Sequence, residues 1–177
     1  MNTGELSRCL AQDSFVNKQF FGVFPADKLP PAGSGTEQSS GKPRRMLIIT
    51  NSQKSGLPGA HWCAWDIDGR VAEFFDSYGQ RPNAVPAFKR YATQFRTVTY
   101  NKKRIQSSLS TICGQLCVAY LQHKARGVGM EAFVDHFAGR NPVLTEETLN
   151  QMINETFETN FPLTDVSFLQ DTLGTGL

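Results

Sequence analysis

Two strand-like runs that flank Asp68-Gly69 constrain the fold more than any other feature of this sequence. They read HWCAWDI before the pair and RVAEFFDSYG after it, and an Asp-Gly pair between such runs predicts a β-hairpin. With a two-residue turn at Asp68-Gly69, His61 lies directly opposite Asp76, where Cβ atoms are about 4.5–5.5 Å apart. A four-residue loop would instead pair His61 with Phe74 and make Asp76 a diagonal neighbour. The direct pairing is the register that we expect.

An imidazole and a carboxylate on one face of a hairpin can work together. The Asp76 carboxylate would accept a hydrogen bond from the His61 ring, select its tautomer and stabilise its cation. Taken alone, each residue also has an ordinary role. His61 could be a packed histidine at a strand edge, and Asp76 could open a turn in the segment DSYG. The pair therefore predicts catalysis only if a nucleophile accompanies it.

Cys113 is the candidate nucleophile, because it directly precedes a predicted helix over Gly114 to Arg126. The positive end of a helix dipole lowers the pKa of a nearby thiol and favours the reactive thiolate. Gly114 allows a substrate carbonyl to approach the first backbone amides of the helix. Gln106, seven residues before Cys113 on a polar loop, can donate to a developing oxyanion. Alone, the cysteine would be an inert buried thiol and the glutamine a surface amide.

Strand-like and helical patterns alternate along the rest of the chain and predict an α+β domain, a small mixed or antiparallel sheet with helices packed on it. We expect one domain over residues 1–163. Residues 30–45 are rich in Gly, Ser and Pro, which predicts a mobile loop. Residues 164–177 have a weak pattern and are predicted to form a peripheral or disordered tail. The last helix is predicted to begin with Thr145 as its N-cap.

Composition and charge restrict the function class. The formal net charge of +2 is too small to indicate a nucleic-acid binder by itself. The sequence has no apolar run of about 18 residues and no signal-peptide pattern, so we expect neither a membrane span nor secretion. The cysteines have no zinc-site spacing with the histidines and are expected to be reduced thiols, so no metal site is predicted. They lie at positions 9, 63, 113 and 117.

The combined motif resembles a known protease family. The sequence HW at His61, the segment FFDSYG with Asp76, and Gln106 seven residues before the CG at Cys113 resemble the adenovirus protease (adenain). The same order of residues is found in the wider group that includes the Ulp/SENP SUMO proteases. The Gln-to-Cys spacing, the run CGQLCVAYL and the early segment FFGVFPADKLP favour adenain. The aspartate is the Ulp/SENP choice, since adenain carries a glutamate at that position.

The resemblance implies both a fold and a set of roles. The fold would be the adenain/Ulp-like cysteine protease fold, with a central mixed β-sheet packed between helices. Cys113 would be the nucleophile, His61 the general base and acid, and Asp76 the orienting carboxylate. Gln106 would be the oxyanion donor, with the neighbouring Trp62 and Gly114 binding substrate.

The resemblance also implies a biological task. The protein would be a cysteine endopeptidase that cleaves viral capsid and core precursors at small or Gly-containing sites during virion maturation. We expect a monomer in the virion and in the host nucleus or cytoplasm. The chemistry requires no cofactor, although a viral peptide and DNA are implied as activators. No cysteine near Thr97–Arg104 could tether that peptide, and the basic triplet Lys102–Arg104 is the candidate for DNA.

Two alternatives have distinct consequences. The first is a deconjugating protease for SUMO or ubiquitin-like modifiers, which a modifier-based electrophilic probe would capture. The second is a catalytically silent binding or structural protein on the same scaffold, in which Cys113 would react no faster with iodoacetamide than an ordinary thiol.

Overall fold

A computed structural model describes residues 1–34 and 45–157 of the chain. Within these segments, five strands form one sheet in the order β1-β2-β3-β4-β5. The strands are β1 (Phe20–Pro25), β2 (Met46–Asn51), β3 (Trp62–Asp68), β4 (Val71–Phe75) and β5 (Thr97–Tyr100). The helices are α1 (Thr3–Gln12), α2 (Pro86–Ala92), α3 (Cys113–Ala125), α4 (Met130–Phe137) and α5 (Pro142–Phe157), with a 3-10 turn at Pro82–Ala84.

Most of the loop predicted at residues 30–45 and all of the tail predicted at 164–177 lie outside the described residues. The sheet is mixed, because the edge strands β1 and β5 pair in parallel with β2 and β4, whereas β3 is antiparallel to both of its neighbours. None of the described helices is both long enough and apolar enough to span a membrane.

Two hydrophobic cores lie on opposite faces of this sheet. On one face, Leu47 and Phe75 pack with Tyr120 and other residues of α3, joined by α1, α4 and α5. On the other face, Trp65 and Phe88 pack together, so that α2 covers the sheet there. Because both faces are covered, β2 and the first six residues of β3 are buried throughout. The predicted α+β architecture with a central mixed sheet between helices is confirmed.

The β3–β4 hairpin has a different register from the predicted one. Asp68 pairs with Val71, so Gly69 and Arg70 form the two-residue turn. Gly69 has a φ of +58°, and glycine adopts this left-handed conformation at the first turn position without steric cost. The prediction that Asp68-Gly69 is the turn, with His61 directly opposite Asp76, is therefore wrong.

The observed register moves the partner of each β3 residue by two positions. Continued beyond the ladder, it places Tyr78 opposite His61 and Cys63 opposite Asp76. His61 and Asp76 are consequently diagonal neighbours, and diagonal neighbours remain within reach of long side chains. The two residues can still meet, although for a different reason from the one predicted.

Two helix boundaries matter for the sequence predictions. Helix α3 begins at Cys113 itself, which places the thiol in its first turn. Helix α5 begins at Pro142, three residues before the predicted N-cap Thr145. Thr145 instead lies inside the helix, where its hydroxyl donates to the Asn141 carbonyl at 3.1 Å. Proline is favoured at the first position of a helix because its missing N–H would have no partner there.

Candidate active site

His61 and Asp76 meet at one end of the β3–β4 hairpin. His61 directly precedes β3, and Asp76 directly follows β4. The His61 Nε2 atom lies 3.1 Å from Asp76 Oδ1. The Tyr78 ring stacks on the imidazole, with ring centroids 4.9 Å apart. The hydrogen bond leaves Nδ1 as the ring nitrogen that faces other partners, and the tyrosine restricts rotation of the ring.

The Asp76 carboxylate is buried and has several donors. The residue is 3% exposed. Its Oδ1 accepts from the Tyr78 backbone N–H at 2.7 Å, and its Oδ2 accepts from the Cys63 thiol at 3.6 Å. These contacts hold the carboxylate in one orientation against the His61 ring. The Cys63 contact was not identified from the sequence, because Cys63 lies opposite Asp76 only in the shifted hairpin register, whereas the Tyr78 N–H contact is local to the turn after β4.

Cys113 faces the His61 ring from the first turn of α3. Burial raises the pKa of the Cys113 thiol, but hydrogen bonds from His61 and from the backbone N–H groups of Trp62 and Gly114 outweigh it, so the pKa is lowered overall. Burial lowers the pKa of His61, whereas hydrogen bonds to Asp76 and Cys113 raise it from 6.5 to about 9. Both shifts favour a thiolate beside an imidazolium.

The thiol pKa of each of the other three cysteines is shifted in the opposite direction. Burial raises the pKa of Cys9 to about 11, and it raises the thiol pKa of Cys63 and Cys117 well above the ordinary value. All four cysteines are free and buried. Since only the thiolate is an effective nucleophile, the environment of Cys113 distinguishes it from the other thiols.

The Gln106 side chain forms hydrogen bonds to the loop after β4 and to the loop before α3. Its side chain is almost fully buried, and its Nε2 donates to the Ser110 carbonyl at 2.7 Å. Its Oε1 accepts from the Ser77 hydroxyl at 2.5 Å. The Ser77 carbonyl in turn accepts from the backbone N–H groups of Ile105 and Gln106. The amide keeps one N–H that is not used within this network, and Ser77 is a contact that the sequence did not reveal.

Trp62 and Gly114 lie against each other beside the nucleophile. A Cβ atom added to Gly114 would be 3.4 Å from the Trp62 ring and 3.0 Å from the Met1 side chain. The Trp62 indole N–H donates to the Met1 carbonyl at 3.1 Å. An open groove of about 480 Å³ begins at Trp62 and is lined by residues that include Val23, Asn51 and Leu57. A larger residue at position 114 would therefore require the Met1 side chain to shift by a few tenths of an ångström.

His61, Cys63 and Asp76 place ligand-type atoms within 4.8 Å of one another. This donor set has the size of a metal site, but its atoms already bond to each other. His61 and Cys63 both contact the Asp76 carboxylate, and the raised pKa of Cys63 keeps its proton on the sulfur. The three side chains are therefore satisfied as a hydrogen-bonded group without an ion.

Solved structures that are similar to this chain include two structures of the ASFV pS273R protease and one of ChlaDub1. The ASFV pS273R protease superposes with a TM-score of 0.56 at 18% identity, over 91% of this chain and 67% of that chain. A selenomethionine form of the same protease gives a TM-score of 0.44 at 22% identity, over 73% and 51%. ChlaDub1 from Chlamydia trachomatis gives 0.44 at 14% identity, over 89% and 79%.

Sequence comparisons add no family assignment. No protein-family model matches the chain, and no curated protein sequence matches it significantly. The ASFV protease and ChlaDub1 are not adenovirus proteases, so the resemblance to adenain in particular stays a prediction. The structural match to the ASFV protease establishes the fold, which this chain shares with that protease.

Proposed function

We propose that this chain is a cysteine protease in which Cys113 is the nucleophile. The observation that carries the proposal is the opposed pair of pKa shifts at Cys113 and His61, within a site where a buried carboxylate holds the histidine. Three other thiols in the chain have raised pKa values, so burial alone does not account for Cys113. The fold shared with a viral protease supports the same conclusion.

The proposed reaction follows from these positions. The Cys113 thiolate attacks the carbonyl carbon of the scissile bond and forms a tetrahedral intermediate. The His61 imidazolium then donates its proton to the leaving amine as the C–N bond breaks, which leaves a thioester on Cys113. His61, now neutral, takes a proton from water, and the resulting hydroxide attacks the thioester and releases the acid. Asp76 stabilises the imidazolium and keeps the ring in the productive tautomer.

The oxyanion of the tetrahedral intermediate needs donors that are already in place. The first N–H groups of α3 have no partners within the helix and point toward its N-terminus, where Cys113 lies. Gln106 is the proposed side-chain donor through its remaining amide hydrogen. Trp62 and Gly114 are the proposed substrate-binding residues, because Trp62 lines the groove and Gly114, which follows Cys113 in the chain, packs against Trp62.

The proposed substrates are viral capsid and core precursors, cleaved at small or Gly-containing sites during virion maturation. The viral protease with the same fold supports this choice. The second candidate is deconjugation of SUMO or ubiquitin-like modifiers. Asp76 favours it, since the Ulp/SENP proteases use aspartate at the orienting position.

The proposed setting is a monomer in the virion and in the host nucleus or cytoplasm, without a cofactor in the chemical step. A viral peptide and DNA are proposed as activators. A groove of about 490 Å³ between β5 and α4 supports a peptide, since it borders an edge strand. Support for DNA is weaker, because Lys103 pairs with Asp135 and the Arg104 side chain lies over the Tyr78 ring. Turnover with and without each addition tests both activators.

The decisive experiment compares two cysteine variants four positions apart on α3. Cys113→Ala abolishes cleavage of Gly-containing precursor peptides, whereas Cys117→Ala retains it, since Cys117 is a fully buried thiol with a raised pKa. Activity that survives Cys113→Ala would refute the proposal. Covalent capture of wild-type protein by a SUMO- or ubiquitin-based electrophile, without peptide cleavage, would favour deconjugation instead.

A further inference from the structure

Asn101 lies directly behind Asp76, at the point where the sheet ends. The β4–β5 ladder has Phe74 and Tyr100 as its last pair, so the main chain of Asp76 has left the regular strand pairing. Asn101 follows β5 and is 5% exposed. Its Oδ1 accepts from the Asp76 backbone N–H at 2.9 Å, and its Nδ2 donates to the Asp76 carbonyl at 2.7 Å. One side chain thus replaces two strand-type hydrogen bonds.

The Asn101 amide has no spare donor. Its second Nδ2 hydrogen goes to the Lys103 carbonyl at 3.1 Å, so both donors are used and the oxygen is occupied. Aspartate would lack the donors, and leucine, which is close in shape, would lack every polar contact. Leucine would leave the buried Asp76 N–H without its partner and would leave the Asp76 carbonyl with only the Gly79 N–H, while aspartate would remove the donor to that carbonyl. The geometry therefore depends on the amide of Asn101.

The backbone position of Asp76 determines what its carboxylate can reach. The carboxylate contacts the His61 ring, the Tyr78 N–H and the Cys63 thiol over distances of 3.1, 2.7 and 3.6 Å. A displacement of the Asp76 main chain by a fraction of an ångström would lengthen the bond to His61. The charged or titratable groups around this ring are Asp76, Cys113, Cys63 and Tyr78, with Arg104 over the tyrosine.

We propose that Asn101 is a positioning residue that holds the Asp76 main chain in place, so that the carboxylate stays bonded to His61 opposite Cys113. Asn101 does not touch the substrate or the reacting sulfur in this arrangement; it acts through Asp76. The consequence for turnover rests on the proposed protease function. The consequence for the Cys113 thiol does not, because alkylation of that thiol needs no substrate.

The test compares Asn101→Leu with Gln122→Leu. The control removes a buried amide on α3, about nine residues beyond Cys113, whose partner is Asp13. In Asn101→Leu we expect kcat to fall about tenfold with KM changed less than about twofold, because a positioning loss acts on the transition state. We also expect the pH midpoint of Cys113 alkylation by iodoacetamide to rise by about one pH unit, since a less stable imidazolium favours the thiol.

The readouts separate the possible outcomes. If Asn101→Leu and Gln122→Leu lose similar thermal stability and neither shifts the alkylation midpoint, Asn101 is merely structural and the proposal is overturned. If wild-type protein cleaves no peptide but Asn101→Leu still shifts the midpoint, the protease function fails and the role of Asn101 stands.

Hydrogen exchange measured on the wild-type protein tests the proposal even if the Asn101→Leu variant does not fold. The Asp76 amide lies outside the strand ladder, and its protection comes from Asn101. We expect its exchange to be slowed at least about 100-fold relative to an unprotected amide. An Asp76 amide that exchanges at the unprotected rate would overturn the proposal whatever the variants do.

Discussion

Replacing Asp76 with asparagine tests the central electrostatic claim about this site. The pKa of His61 is raised from 6.5 to about 9, which corresponds to a preference of about 3 kcal/mol for the imidazolium. Both side chains are largely buried, with exposed fractions of 17% for His61 and 5% for Asp76, so solvent screens the interaction weakly. Hydrogen bonds to Asp76 and Cys113 share the effect, and the larger one is that to Asp76.

We assign about 2 kcal/mol of this preference to Asp76, which predicts a loss of about 30-fold in kcat/KM at neutral pH for Asp76→Asn. The His61 pKa should fall by about 1.5 pH units. The variant keeps an oxygen that can accept from the Tyr78 N–H, so the change is mainly one of charge. The alkaline limb of the pH–rate profile should move to lower pH, since His61 loses its proton more easily.

The sign of the stability effect follows from the raised pKa of His61. Its contribution to folding stability is fully present below pH 6.5 and is lost as the pH rises through about 9. Asp76→Asn should therefore destabilise the protein most at acidic pH and least above pH 9. NMR titration of the imidazole signals measures the pKa, with His61→Gln to assign the resonance among three histidines. A His61 pKa that changes by less than about 0.3 in Asp76→Asn would refute the reasoning.

Three further predictions rest on separate contacts. Iodoacetamide at pH 6 should label Cys113 and spare the other three cysteines, because Cys113 alone has a lowered thiol pKa. Peptide mapping by mass spectrometry measures the labelling, and equal labelling of all four cysteines would contradict the prediction. Ser77→Ala should lower kcat about tenfold and leave the pH midpoint of Cys113 alkylation unchanged, because it removes a hydrogen bond to the Gln106 amide without affecting the thiol. A shifted midpoint would show that Ser77 also affects the thiol. Gly79→Ala should cost at least about 2 kcal/mol more than Gly56→Ala in chemical denaturation. Both glycines have positive φ, but only at Gly79 would a Cβ meet the main chain of residues 102–103 at 2.9–3.0 Å; equal costs would show that this contact is unimportant.

The sequence correctly predicted the types of the secondary-structure elements that carry this site. The alternating runs around residue 69 do form adjacent strands, and the helix predicted over Gly114 to Arg126 does form, although it begins one residue earlier, at Cys113. Both follow from local signals: period-two alternation, turn-forming residues, and apolar spacing that begins at a Cys-Gly pair. His61 and Asp76 do come together. The catalytic roles given to these residues stay predictions until the variants are measured.

The hairpin register shows where local information ends. Asp-Gly and Gly-Arg are both acceptable turns by composition, and each gives two-residue loops with the same number of paired residues. The two registers differ by two positions, so each side chain stays on the same face of the sheet, and the choice depends on which side chains become cross-strand neighbours. In the observed register Trp65 pairs with Phe74, and the two rings pack 4.6 Å apart on the face covered by α2. The residues of the turn alone carry no information about this packing, so the turn sequence cannot select the register.

By itself, the sequence determined which elements form, where the nucleophile's helix begins and which residue types could act together. The tertiary structure alone decided that Tyr78 stacks on His61, that Ser77 orients Gln106 and that Asn101 holds Asp76. The last two pairs join residues that are 29 and 25 positions apart in the chain. Local propensity depends on neighbours along the chain, whereas these hydrogen bonds exist only after the loops behind β4 and β5 pack against each other, and that packing is a property of the whole fold.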